Sequence, residues 1–261
     1  MFGILKTMAA GVLAASALMT TTAHADGRIV GLVDGKSIVT IDPATRKVSS
    51  TVNISGAGMI AGIDVRPADG MLYGVTSDGN LVTIDMKSGK AMVKSKLSQA
   101  WKKTGTTSFD FNPAADRLRL MSAEGVSWRI NVDDGMVTVD GSHKHKHKDM
   151  AGKTPRIVAG AYTNSFKGTK ATTLYNIDAA TGSLVMQNPP NDGVLNTVGS
   201  LGVTVNGPVA FNIVATGADQ NAGWLAMGGA LYSVDLKTGK ATMSGKIAGL
   251  KGTLTDIAWM D

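Results

Sequence analysis

The sequence predicts an all-β chain: a five-bladed β-propeller of four-stranded blades, closed by pairing the C-terminal strand with the N-terminal blade. The first observation is an internal repeat, which decides architecture before any local reading does. Its copies are "SIVTIDPATRKVSS" at 37–50, "NLVTIDMKSGKAMV" at 80–93, "SWRINVDDGMVTV" at 127–139, "TLYNIDAATGSLVM" at 173–186 and "LYSVDLKTGKATM" at 231–243. The second is a further strand pattern accompanying each copy: "IAGIDVRPADGMLYGVTSDG", "TSFDFNPAADRLRLMSAEG", "IVAGAYTNS", "GPVAFNIVAT" and "LTDIAWMD". The third is their order. Four of these patterns precede their repeat, whereas the fifth ends the chain and the first repeat, which follows Arg28, has no leading strand. A ring closed by chain ends that share a blade explains the permutation and removes free sheet edges. A sandwich of eight to ten strands gives no reason for it.

Within each repeat, alternating apolar and polar residues run into an Asp or Asn, then a turn, then alternation again, as in a β-hairpin. Asp42, Asp85, Asn131, Asp178 and Asp235 are therefore expected to accept hydrogen bonds from their own turns. The glycines of "KSG", "ATG" and "KTG" supply a positive φ there. The turn residues are 43, 46, 47 and 57 positions apart, a spacing suited to four-stranded blades with loop variation.

Ahead of the repeats, residues 1–25 carry Lys6, an apolar run from Met8 to Met19, and Ala23 and Ala25. This predicts a secretory signal peptide cleaved near Ala25. The run is shorter than the roughly 20 residues of a membrane span. Residues 26–261 are then expected to form one propeller domain, periplasmic or secreted, with no membrane span in the mature form. The net charge of +6 becomes +5 because Lys6 leaves with the signal. A mild basic excess without a basic helix gives no support to nucleic-acid binding. With no Cys, neither disulfides nor a cysteine nucleophile is available. The eleven methionines after residue 25 are scattered, which suits blade packing better than a cluster of soft metal ligands.

The stretches "DFNPAADRLRLMS", "AYTNS" followed by "TTLYNID", and "NPPNDGVLNTVGSLGV" resemble the bacterial domain of unknown function 4394 family. The resemblance covers about residues 28–261. It implies an exported propeller-like repeat protein and no established activity. Between Asp140 and Pro155 the sequence departs from the family pattern, which has a small and acidic connector where this chain has "DGSHKHKHKD".

That tract, 140–149, supplies the candidate metal ligands His143, His145, His147 and Asp149, with Asp140 as a further carboxylate. In an extended segment the three histidines share one face and the lysines point away. Imidazole suits Zn, Cu or Ni. Same-face residues stand about 6.6 Å apart, however, and the lysines oppose a cation. The expectation is a mobile, basic connector with weak metal contact and no built-in cofactor. Ligand-binding candidates lie elsewhere. Asp110 and Asn112 share a face of one strand, as do Arg117 and Arg119 on the next, where an arginine pair could hold an anion. Pairing with carboxylates such as Asp116 is their ordinary role. The "QNPPNDG" loop offers Asn188, Asn191 and Asp192, although its composition is also plain turn chemistry. With no catalytic residue to name, the expected function is a non-catalytic binding or scaffold module of the envelope, whose partner is an envelope protein, a glycan or a small anion. The alternatives are periplasmic binding of Zn, Cu or Ni through His143–His147, and a carboxylate-based hydrolase or lyase in the central channel.

Overall fold

The computed structural model describes residues 27–101, 105–146, 153–217 and 219–261. The expected signal segment, His147 and Asp149 lie outside them. Five antiparallel sheets form the ring. Blade 1 joins β1 (Arg28–Val33), β2 (Ser37–Ile41) and β3 (Val48–Asn53) to the last strand, β21 (Leu254–Met260), which lies innermost. Blade 2 is β4 (Ile60–Val65), β5 (Leu72–Thr76), β6 (Asn80–Ile84) and β7 (Ala91–Lys96). Blade 3 is β8 (Thr107–Asn112), β9 (Arg117–Ser122), β10 (Ser127–Ile130) and β11 (Val137–Val139). After the two-residue strand β12 (Lys144–His145), blade 4 follows as β13 (Ile157–Tyr162), β14 (Leu174–Asp178), β15 (Ser183–Gln187) and β16 (Val194–Ser200). Blade 5 is β17 (Val209–Gly217), β18 (Gln220–Met227), β19 (Ala230–Val234) and β20 (Ala241–Lys246).

The closure read from the permuted repeat is present. β21 pairs antiparallel with β1, with Arg28 opposite Met260 and Gly31 opposite Ile257. The composition of each strand follows its distance from the axis. Inner strands such as "IAGIDV" are buried on both faces and read as nearly continuous apolar runs. Outer strands such as "VSSTVN" are mostly exposed and polar. All five turn residues act as expected, accepting from Thr45, Ser88, Asp133, Ala180 and Lys237 backbone N–H groups respectively. Gly89, Gly182 and Gly239 have φ of 73°, 64° and 81°.

The core lies between blades. Blades 1 and 2 pack through Val30, Leu32, Ile60 and Ile63, and blades 2 and 3 through Tyr73, Leu81, Phe109, Phe111 and Trp128. Blades 4 and 5 join through Ile177, Phe211 and Leu225, and blades 5 and 1 through Ile29, Leu231 and Ile257. Each such side chain contributes about 1.5–3 kcal/mol through burial. Between blades 3 and 4 the apolar group is smaller: Met121 faces Ile157, Tyr162, Leu174, Val185 and Leu195.

Two expectations change. Five methionines (Met59, Met71, Met92, Met136 and Met243) are 45–59% exposed, so they do not fill gaps in blade packing. The tract is also not a free connector over 140–146. β12 adds to the outer edge of blade 4, parallel to β16, with Lys144 N–H donating to Gly193 O at 2.9 Å and Lys146 N–H to Leu195 O at 3.0 Å.

Candidate functional site

The repeat places a polar residue at the same point of four inner strands: Asp64 in "GIDV", Asp110 in "SFDF", Asn212 in "AFNI" and Asp256 in "LTDI". β13 has Ala161 there. All four polar side chains are buried, and the carboxylates join blade to blade. Asp256 Oδ2 accepts from Ile63 N–H, Asp64 Oδ2 from Phe111 N–H and Asp110 Oδ1 from Tyr162 N–H, at 2.9, 2.8 and 2.9 Å. Asn212 Nδ2 bridges Asp64 Oδ1 at 3.5 Å and Asp110 Oδ2 at 3.4 Å. Gly62 permits this approach, because a Cβ there would stand 3.1 Å from Asp256 Oδ2 and 2.6 Å from Phe109 Cβ.

Burial disfavours the charged carboxylate. It pushes the Asp64 carboxyl up to about 7, against the backbone hydrogen bonds from Phe111 and Val65 that stabilise the anion. Asp110 is raised well above the ordinary carboxylate range by burial first, and then by the nearby Asp64 and Asp256 charges. Near neutral pH the Asp64 carboxyl is thus divided between hydrogen-bond donor and acceptor forms.

Asp64 and Asn212 also line a cavity of about 250 Å³ at the channel mouth. Its walls include Ser165, Phe166, Lys167, Trp259 and Asp261. Phe166 is 40% exposed. The Trp259 indole N–H donates to Asp261 Oδ1 at 2.9 Å. Sequence reasoning named Asp110 but missed Asp64, Asn212 and Asp256. Their signal was a polar residue in register inside four apolar strands.

The other candidates gather between blades 3 and 4. Arg119 is 1% exposed and donates to Tyr162 Oη, Ser127 Oγ, Asn191 Oδ1 and Asp140 Oδ2. Arg129 Nε also contacts both oxygens of Asp140, at 3.0 and 2.9 Å. The structure therefore brings Arg119, Asn191 and Asp140 together, and Gly141 N–H donates to Asn191 O at 2.8 Å. Asp116, the expected partner of the arginine pair, is instead held by Arg66. Arg117 Nη1 donates to Asp116 O. Asn112 Oδ1 accepts from Ala114 and Ala115 N–H in a tight turn. Asn188 precedes a cis peptide to Pro189, and its backbone O accepts from Asn196 Nδ2. Asp192 is exposed and packs its backbone against Gly141.

His143 and His145 share a face, with Lys144 and Lys146 exposed on the other. That face points into blade 4 and not to solvent. The His145 side chain is 3% exposed, with Nε2 3.3 Å from Asp178 Oδ2. Burial, helped by the Arg119 charge, lowers the His143 pKa to about 4, against the opposing pull of Asp178 and a hydrogen bond with Gln187. Among the described residues, no group of three or more His, Cys, Asp or Glu side chains is placed to hold a metal ion. Nor is any helix there long and apolar enough to cross a membrane.

Comparison with known proteins places the chain without assigning an activity. It is similar to a structure of a protein of unknown function from Bacteroides thetaiotaomicron VPI-5482, with 16% identity over 82% of this chain and 55% of that one, at a TM-score of 0.51. A protein of unknown function from Bacteroides caccae aligns at 9% identity over 90% and 98% of the two chains, with a TM-score of 0.44. An auxiliary nutrient binding protein from Bacteroides ovatus aligns at 11% identity over 75% and 55%, with a TM-score of 0.46. The chain thus spans just over half of the first and third of these structures. No curated protein matches the sequence. A family model, "Domain of unknown function (DUF4394)", matches residues 37–258, most of the chain, and the protein belongs to that family.

Proposed function

We propose that this protein is an exported, non-catalytic binding module of the cell envelope that seats a small hydroxyl-rich ligand, such as one ring of a glycan, at the channel mouth. The observation that carries this reading is the cavity of about 250 Å³ whose wall combines polar Asp64 and Asn212 with aromatic Phe166 and Trp259. That volume falls just below the roughly 300–1,000 Å³ common for ligand sites, so it suits a single small ring. A carboxyl group that both donates and accepts, beside an amide, suits hydroxyl groups. An aromatic wall supplies apolar area to the ring. Export rests on the residue 1–25 pattern.

A glycan-fragment titration followed by Trp fluorescence and NMR tests the reading. A saturable response is expected, weakened about tenfold or more in Phe166→Ala, a substitution on the exposed rim. No response to any fragment, or an equal response in the variant, would overturn it.

The hydrolase or lyase reading draws on the raised Asp64 carboxyl at the channel mouth. Against it, each carboxylate of the inner ring is already held by backbone N–H groups. Turnover of a bound fragment, lost in Asp64→Asn, would establish it in place of simple binding. Zn, Cu or Ni binding draws on His143 and His145, but both are turned into blade 4, so coordination would have to displace β12.

A further inference from the structure

The polar face of blade 3 carries three guanidinium groups. In register, Arg129 on β10 stands opposite Arg119 on β9, and Arg117 lies two residues along β9 on the same face. Asp140 lies between Arg119 and Arg129, taking Nη1 of the first and Nε of the second. Asp134 is the carboxylate beside the outer end of this face. Its oxygens accept from Asn131 Nδ2 and Met136 N–H. Asp116, adjacent to Arg117 in sequence, turns its carboxylate to Arg66. Asp110, opposite Arg119 on β8, is taken up by Tyr162 N–H and Asn212 Nδ2. Among the described residues, neither Arg117 nor the Nη groups of Arg129 hydrogen-bonds a carboxylate.

These groups border a second cavity, of about 280 Å³, lined by Arg117, Arg129, Asn131, Asp134, Met136 and Thr138. Both guanidiniums are oriented before any ligand arrives. Arg117 is fixed by Asp116 O, and Arg129 by two contacts to a carboxylate that is itself only 3% exposed. Preorganised arginine forks suit oxyanions. With the Thr138 hydroxyl, the free N–H groups outnumber what the two oxygens of a carboxylate can use, which favours the three terminal oxygens of a phosphate.

We infer that Arg117, Arg129 and Thr138 form a site for a terminal phosphate group on the outer part of blade 3, separate from the channel mouth. The source is inorganic phosphate or a phosphorylated headgroup, which share this chemistry.

The test is calorimetric titration of the protein with inorganic phosphate, with acetate at matched ionic strength, and with vesicles containing a phosphomonoester headgroup. Saturable phosphate binding is expected, with acetate about tenfold weaker or more. Arg117→Ala should weaken phosphate about tenfold, because Arg117 is exposed and outside the Asp140 contacts. Phe166→Ala should leave phosphate binding unchanged, which separates this site from the channel mouth. Vesicle binding that phosphate competes away identifies the headgroup as the source; phosphate binding without it identifies the free ion. Absence of phosphate binding, equal affinity for acetate, or unaltered binding in Arg117→Ala would overturn the assignment.

Discussion

Blade 3 packs against its two neighbours by opposite means. Toward blade 2 it presents Phe109, Phe111, Leu118, Leu120 and Trp128, with Tyr73 and Phe111 in edge contact at 5.4 Å. Apart from Asp64 at the axis, the charged groups on that side lie at the rim. There Arg66 meets Asp116 and Asp133, whose side chains are 40% and 53% exposed. Toward blade 4 it buries Arg119 against Asp140, with Ser127, Tyr162 and Asn191 satisfying the remaining donors. Apolar packing needs only shape and volume. A buried ion pair needs every partner in place, because its desolvation is recovered only through complete hydrogen bonding. The first interface tolerates exchange, whereas the second specifies register: it fixes where the tract leaves blade 3 and where it meets the Asn191 loop.

The sharpest test removes one anchor from each side. Phe111→Ala is expected to lose about 4 kcal/mol through transfer and cavity terms. Asp140→Asn, which leaves Arg119 buried without its counter-charge, is expected to lose about 3 kcal/mol. Urea unfolding at pH 7 measures both. The comparison breaks if Asp140→Asn is neutral, and sharpens if replacing Arg119, Asp140 and Arg129 together by apolar residues restores stability.

A smaller effect separates the interfaces by pH. The folded protein holds His143 near pKa 4 and the unfolded chain near the ordinary 6.5, so acidification between 6.5 and 4 protonates the unfolded state first. Stability from this group is fully present above pH 6.5 and falls as pH drops, by up to about 1.4 kcal/mol per unit. Asp64 has the opposite sign. Its raised folded pKa, about 7, makes stability fall as pH rises from about 4 to 7. In pH-dependent unfolding, His143→Asn should therefore remove an acid-side loss, and Asp64→Asn a loss on approaching neutrality. Parallel profiles for both variants would contradict these assignments.

What the sequence revealed divides along physical lines. The blade hairpins were legible because strand, turn Asp and turn Gly are local signals repeated five times. Closure was legible because repetition exposes a missing strand. The polar inner ring left a trace in "GIDV", "SFDF", "AFNI" and "LTDI", but only alignment of the inner strands reveals it. The seat of the tract was not legible. β12 has two residues, no apolar side chain and a partner about 50 residues away. What draws the histidines inward is the polar face of blade 4, where Asn176 donates to Gln187 at 2.7 Å and Asp178 stands beside His145. A histidine between lysines reads as solvated until such a face exists.

The strand that closes the ring also furnishes part of the channel mouth. Trp259 and Met260, both in its wall, belong to β21, the innermost strand of the first blade. Until it docks, blade 1 is a three-stranded sheet with a bare inner edge, and the cavity lacks one wall. Completion of the ring and completion of the cavity are therefore a single event.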